Sequence, residues 1–450
     1  MATSDLTTRI LARDNSLWQR ADAPFAPLGW IDLPSRNYEY LLDMTRWAES
    51  IDQSKILVLG MGTSGLAPRV FFDFMTNHGP RPQRDIVALD CLDSRSFADI
   101  DLTDTAVIVS TKSGITLETD ALFRFFYSRL GRPGRFIAIT DQGSPLDIEA
   151  RELGFKRVFN CPTSMGERFT IFSELGIVPA ALAGMDLFEL FDNATKTEVG
   201  AFVKLGEEIG GNANAQINAV EILHARKDRA LALWSEQLLA INSAERSKCL
   251  IPVPTELSLG TYPRSKVPIA PKSIAELAQL LYGLPFAAAA AGYALEIDPF
   301  KEYDELGARE DVLESLRGAP LKISAPEVDF GNLAKYLDSK LHPQDLVAIS
   351  AYQPLDYENE LVATSAQLAR ELGANIVTAG LAPRHLHATG QLHRDGPAGT
   401  HVVQVISKSH GPRIAIPTLE TDFNSLIEAQ ADRQAWELTE RGHKVSRIYS

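Results

Sequence analysis

The stretch AVIVSTKSGITLETDALFRFF, Ala106 to Phe126, decides how this chain is read. It opens on an apolar, β-branched run, Ala106 to Thr111, which reads as a strand covered on both faces. It turns through Ser110-Thr111-Lys112-Ser113-Gly114-Ile115-Thr116 and enters a helix at TLETDALFRFF. Four hydroxyls and a lysine thus crowd one helix N-terminus, where capping alone needs a single Ser or Thr. Hydroxyl donors, free amide groups and the positive end of a helix dipole together suit one phosphate.

Upstream, KILVLGMG (Lys55 to Gly62) is a second strand entering a glycine turn, Gly60-Met61-Gly62-Thr63-Ser64-Gly65, before the helix SGLAPRVFFDFMTNHG. This GxGxxG invites a dinucleotide reading, with Asp90 at the end of the next strand holding a ribose. The physics is generic, because glycines let the backbone approach any phosphate, and a tight turn without ligand reads the same way. Parallel neighbouring strands would bring Ser64 beside the hydroxyl cluster, so one phosphate pocket built from two turns explains both. No G-K-[ST] P-loop is present, which leaves an NTPase unsupported.

Further strands are DIVALD (Asp85 to Asp90), RFIAIT (Arg135 to Thr140) and RVFN. After a helix-rich stretch from Leu187 to Gly211 the pattern restarts: ALALWS (Ala230 to Ser235), DLVAIS (Asp345 to Ser350), NIVTAG (Asn375 to Gly380) and THVVQVIS (Thr400 to Ser407) read as strands. A helix over Thr421 to Gly442 and a terminal strand KVSRIY close the chain. This predicts an α/β protein with an N-terminal segment over 1–45, one parallel-sheet domain over 46–200 and a second over 201–450. LPFAAAAAGYAL (Leu284 to Leu295) is too short to cross a bilayer and reads as a buried helix.

Among 450 residues, 44 Lys and Arg against 58 Asp and Glu give a net charge of -14, which argues against nucleic acid or an anionic membrane as partner. Cys91, Cys161 and Cys249 show no metal-ligand spacing and suit a reducing, cytoplasmic setting. The first fifteen residues carry no apolar core of a secretory signal.

The blocks LVLGMGTSGLAP, VSTKSGITLETD, IAITDQGSPL, GERFTIFSELGIVPAALAGMDL, SEQLLA, AAAAAGYALEIDPF and RHLHATGQLHRDGP resemble, in order, those of the phosphoglucose isomerase superfamily. The likeness is greatest to the isomerase part of bacterial transaldolase/phosphoglucose isomerase fusions. It implies two SIS-type, flavodoxin-like doubly wound parallel-sheet domains in an α/β/α sandwich. It further implies a small-molecule sugar phosphate as substrate, a homodimer, a possible separate transaldolase partner, and neither cofactor nor metal.

Carried over residue by residue, the resemblance places phosphate on Ser64, Thr111, Ser113 and Thr116 with Lys112 beside them, one family threonine having become Ile115. Gly62, Thr63, Gly166 and Glu167 fall at the sugar end, and Glu167 stands where the family has a glycine. Arg168 takes the place of the arginine that steadies the enediolate. The family's proton-carrying glutamate is replaced by Ile241, which cannot accept a proton. Glu302 and Arg309 occupy the family's glutamine and lysine positions. Glu302 is either a relocated base or the ion-pair partner of Arg309 or Lys301; Glu245 is another candidate base. His393 is the expected ring-opening histidine, and His387 reads as a packed one. The three histidines His385, His387 and His393 lack a local carboxylate or cysteine that would complete a metal set.

The resemblance therefore implies a glucose-6-phosphate isomerase-like aldose–ketose isomerase. Its alternative is a catalytically impaired homologue that still binds sugar phosphate, as a sensor or partner subunit. A nicotinamide-dependent dehydrogenase rests only on the glycine turn and Asp90.

Overall fold

A computed structural model of the chain describes residues 3–18, 27–241, 248–257, 263–301, 305–318, 321–409 and 411–450. The first sheet contains β1 (Lys55–Leu59), β2 (Asp85–Leu89), β3 (Thr105–Ser110), β4 (Phe136–Asp141) and β5 (Arg157–Cys161). All are parallel, in the order β2-β1-β3-β4-β5. The strands alternate between two cores: Ile56 and Val58 join one cluster, Leu57 and Leu59 the other. The same split divides Ala106 and Ile108 from Val107 and Val109. Both faces are therefore covered by helices, as the uninterrupted apolar runs require. The strand order reverses between β1 and β3, so the turns after these two strands flank the topological switch point, where open α/β sheets bind ligands.

The second half builds a three-stranded sheet, β7-β6-β8, from β6 (Ala219–His224), β7 (Ile251–Thr255) and β8 (Ser265–Ile269). A four-stranded sheet, β10-β9-β11-β14, follows from β9 (Leu346–Tyr352), β10 (Ile376–Leu381), β11 (His401–Ile406) and β14 (Lys444–Tyr449). A small antiparallel hairpin, β12 (Ala415–Ile416) and β13 (Thr421–Asp422), precedes the helix Phe423–Glu440. The two larger sheets meet where Ile251 and Val253 of β7 pack with Leu346 and Ile376.

Two expectations change. ALALWS is not a strand but part of the helix Arg229–Leu239, buried along its length. A short run apolar on every side carries no period to separate strand from buried helix, and its Ala and Leu are strong helix formers. The strand of this region is β6, AVEILH, just upstream. The alanine-rich segment belongs to a longer helix than its apolar core suggested, Ile274–Leu295, of 22 residues. By length and composition that helix could span a bilayer. Here it runs through the protein interior: Ala287 to Ala291 are each 0 % exposed, and it packs on the helix Val199–Asn214. The contact is close because Gly206 and Gly210 face it, leaving no room for a Cβ beside the Ala287 and Ala291 carbonyls.

Candidate active site

The two turns at the switch point touch. A Cβ on Gly60 would stand 2.8 Å from both Ser64 Cβ and the Ser110 carbonyl oxygen. Gly62 has φ +54° and Gly114 φ +73°, conformations glycine adopts without strain. At the second turn, Thr111 Oγ1 lies 2.7 Å from Thr116 Oγ1 and 3.4 Å from Ser113 Oγ. Backbone N–H groups converge there too: Gly114 donates to Thr111 Oγ1 and Ile115 to Ser113 Oγ, each at 3.3 Å. Thr116 is the N-cap of the helix Leu117–Leu130, yet its hydroxyl makes no capping bond.

That hydroxyl has a different partner. Ser113 donates to one oxygen of Glu305 at 2.5 Å, and Thr116 donates to the other through a short hydrogen bond. Glu305 opens the helix Glu305–Leu316 and comes from 189 residues further along the chain. A carboxylate thus occupies the hydroxyl cradle at a helix N-terminus, the place and the charge a phosphate would take. Arg309, one turn on, donates to the Ile115 carbonyl at 2.7 Å and pairs with Asp120 at 3.2 Å, bracing the loop from behind.

Beside the cradle lies a cleft of about 250 Å³. Thr63, Lys112, Ser113, Gly166, Glu167 and Arg168 line it, with Asp141, Gln237, Lys301, Glu305 and His387. Six of the residues the sequence singled out, Thr63, Lys112, Ser113, Gly166, Glu167 and Arg168, therefore meet at one place. Gln237 donates to Thr63 Oγ1 at 2.9 Å. Glu167 covers Gly62, its Oε1 3.1 Å from where a Cβ would project. Arg168 donates to the Ala240 carbonyl and to Gln391 Oε1, both at 2.9 Å. Lys112 pairs with Asp141 at 2.8 Å, and burial pushes the Asp141 carboxyl up despite that lysine. Its second oxygen is buried without a hydrogen-bond partner among the described residues.

Other residues are placed elsewhere. Ser64 and Ser110 are buried, and their hydroxyls have no partner among the described residues. Thr111, Thr116 and Arg309 line an adjoining cavity of about 220 Å³ on the far side of the loop. Ile241 is 2 % exposed and part of the core. Glu302 and Glu245 lie outside the described residues.

The two histidines exchange the places the sequence suggested. His393 is buried away from the cleft, both ring nitrogens unpartnered among the described residues, and lines a small cavity of about 70 Å³ behind it. Its ring sits 5.4 Å from that of His385, and burial holds it well below the usual imidazole range. His387 faces the cleft and pairs with Glu118 at 3.0 Å. Burial pulls its pKa down, but Glu118, with Glu305 and Glu167 nearby, outweighs that and raises it to about 9. At neutral pH His387 is a charged proton donor. Glu118 also accepts from Gln430 at 2.6 Å, which fixes the pair.

Glu118, Asp141 and Glu305 were not singled out in the sequence, and His387, which lines the cleft, read there as a packed histidine. Glu118 and Asp141 stood inside blocks already singled out, TLETD and IAITD; Glu305 carried no local signal.

Asp90 is 0 % exposed and faces Arg384 at 3.3 Å and Arg69 at 3.7 Å. It is walled in by arginines and has no surface for a ribose. Gly65 is needed because a Cβ there would lie 2.5 Å from the Gly60 carbonyl, which accounts for that glycine by packing alone.

No family model matches the chain. It is 27% identical over 292 residues to the glucose-6-phosphate isomerase of Enterococcus faecalis, covering 56% of this chain and 64% of that protein. It is 30% identical over 203 residues to that of Campylobacter jejuni, covering 41% and 49%. The chain thus spans from about half to under two thirds of these relatives' length. A glucose-6-phosphate isomerase structure from Chlamydia trachomatis shares the fold, with a TM-score of 0.51 at 17% identity over 69% of this chain and 79% of that one. Parallel sheets, a switch-point cleft and a hydroxyl cradle at a helix N-terminus define an α/β protein with a ligand-site geometry at its first sheet. The chain is thus similar in sequence, over part of their length, to glucose-6-phosphate isomerases and shares the fold of one of them.

Proposed function

We propose that this chain is an aldose–ketose isomerase acting on a sugar phosphate, of the glucose-6-phosphate isomerase kind. The observation that carries the reading is the carboxylate of Glu305 held by Ser113 and Thr116, because a loop that binds this anion is built to bind a phosphate. In the working complex the substrate phosphate displaces Glu305. The sugar then extends into the cleft past Gly62 and Gly166.

The remaining groups match the chemistry. His387, charged at neutral pH, gives its proton to the ring oxygen as the sugar opens. Moving the carbonyl between C1 and C2 needs one carboxylate to carry a proton between adjacent carbons. Asp141 is the best placed, since it lines the cleft, has one unpartnered oxygen and is pushed toward proton binding by burial. Arg168 steadies the enediolate that forms between the two proton transfers. A homodimer, a cytoplasmic setting and a separate transaldolase partner belong to the same proposal and rest on the resemblance.

A second reading has its own observation: Ile241, at the family's base position, is packed in the core and cannot return to catalysis by a rotamer change. The chain would then bind sugar phosphate without converting it. A coupled assay of fructose 6-phosphate conversion separates the two readings. The isomerase reading expects Asp141→Asn and Arg168→Ala each to lower kcat at least about 100-fold, as loss of a general base or of charge stabilisation does. It fails if wild-type protein converts no hexose or pentose phosphate pair above background.

A further inference from the structure

A second cleft, of about 290 Å³, opens at the carboxyl ends of β6 and β7. These strands are parallel neighbours, and the eleven-residue helix Arg229–Leu239 starts beside them. In topology this is the same kind of place as the first site: strand carboxyl ends meeting a helix start in a parallel sheet. Its floor is apolar, from Val253, Val377 and the face of the helix Glu358–Leu372 that carries Ala366. Its polar lining is strongly cationic: Arg226, Arg229 and Arg370 against one carboxylate, Glu256.

Two of these side chains point to a missing partner. His224 ends β6 and is only 5 % exposed. Its Nδ1 lies 2.9 Å from the Ala225 carbonyl, so that nitrogen carries the proton and Nε2 presents a lone pair. Nε2 is buried and has no hydrogen-bond partner among the described residues. Burial also holds this imidazole below its usual range, keeping it neutral. Arg229 Nε is likewise buried without a hydrogen bond and lies 3.7 Å from Glu358, beyond bonding distance. Arg226 is held by Asn359 at 2.9 Å, which turns its guanidinium along the rim. Buried polar groups are normally satisfied, so an imidazole acceptor without a hydrogen bond, beside a guanidinium N–H that Glu358 pairs with but does not hydrogen-bond, calls for a ligand that supplies both complements.

We infer that this cleft is a second binding site, separate from the proposed catalytic one, for a small phosphate monoester that also carries a hydroxyl. The oxyanion is taken by Arg226, Arg229 and Arg370, and the hydroxyl donates to His224 Nε2. Guanidinium groups suit this task because their planar donors match a phosphate's oxygens. A bare oxyanion would leave the imidazole unsatisfied, which is why the ligand needs a hydroxyl as well as a phosphate.

The test is calorimetric titration of the full chain with glycerol 3-phosphate and, separately, with inorganic phosphate. Glycerol 3-phosphate is expected to bind at two sites. Arg226→Ala and Arg370→Ala change exposed side chains, so the fold is retained; each should weaken one binding event at least tenfold and leave the other. Ser113→Ala with Thr116→Val should do the reverse. His224→Leu should remove the preference of this cleft for glycerol 3-phosphate over inorganic phosphate. A single binding event that Ser113→Ala with Thr116→Val abolishes and the arginine variants leave untouched overturns the second site. So does the absence of any binding sensitive to Arg226 or Arg370. Failure of the isomerase assay would bear on the first cleft alone.

Discussion

His387 is set by the charges around it rather than by its own chemistry. It is buried, which alone would keep an imidazole neutral, yet Glu118 lies 3.0 Å away and Glu305 and Glu167 add their charge. The pair wins over burial and raises the histidine to about 9. A histidine raised in the folded state contributes stability fully below its unfolded value near 6.5 and loses it as pH climbs through about 9. The contribution is on the order of 3 kcal/mol. Melting temperature should therefore fall between pH 7 and pH 10, and His387→Gln should flatten that fall while lowering stability at pH 6. An unchanged slope in the variant would assign the pH dependence to another group. The same scale explains why His387 and His393 were hard to tell apart in sequence. Both sit in one short block, six residues apart, and only the bend between the helices Arg384–Ala388 and Gly390–Asp395 sends one to the cleft and the other behind it.

At the scale of elements, the first sheet was legible because its strands are apolar without interruption and their turns carry glycines and hydroxyls. The hydroxyl cradle was legible for the same reason, being one contiguous turn. Glu305 was not, because its meeting with Ser113 and Thr116 joins segments 192 and 189 residues apart. The helix pair Val199–Asn214 and Ile274–Leu295 gives a prediction that runs against propensity. Replacing a helical glycine by alanine ordinarily gains up to about 1 kcal/mol. At Gly206 the new Cβ would lie 2.2 Å from the Ala287 carbonyl oxygen and 2.8 Å from Ala290 Cβ, both on a buried helix that cannot give way. Overpacking of this kind costs about 1–3 kcal/mol, so Gly206→Ala should be net destabilising in urea unfolding. Gly211 on the same helix has nothing within 4 Å and serves as the control, where alanine should stabilise.

Across the whole molecule, a buried charge network ties the two halves together. Glu358 of the second half takes Arg384 at 2.6 Å and Arg69, from the first, at 2.7 Å. Asp90, at the end of β2, faces the same two arginines. Glu358→Ala would leave buried arginines with too little compensating charge, a loss of about 3–5 kcal/mol. Thermal unfolding followed by far-UV circular dichroism should show the corresponding drop in Tm; a change within about 0.5 kcal/mol, as an exposed pair would give, would mean the network does not join the halves. The division of the sequence into two α/β halves anticipated none of this, since ion pairs between distant segments leave no periodic trace. What the sequence did carry was the cluster of hydroxyls crowded at one helix start.

On the proposed function, the seat between Ser113 and Thr116 is a phosphate site held at rest by the Glu305 carboxylate. Calorimetric titration with fructose 6-phosphate, comparing wild type with Glu305→Ala, tests it most directly. Removing hydrogen bonds to a charged group worth about 1.5–3 kcal/mol frees the cradle, so the variant should bind about tenfold more tightly or better. Weaker or unchanged binding in the variant, or no binding by either protein, would contradict the claim.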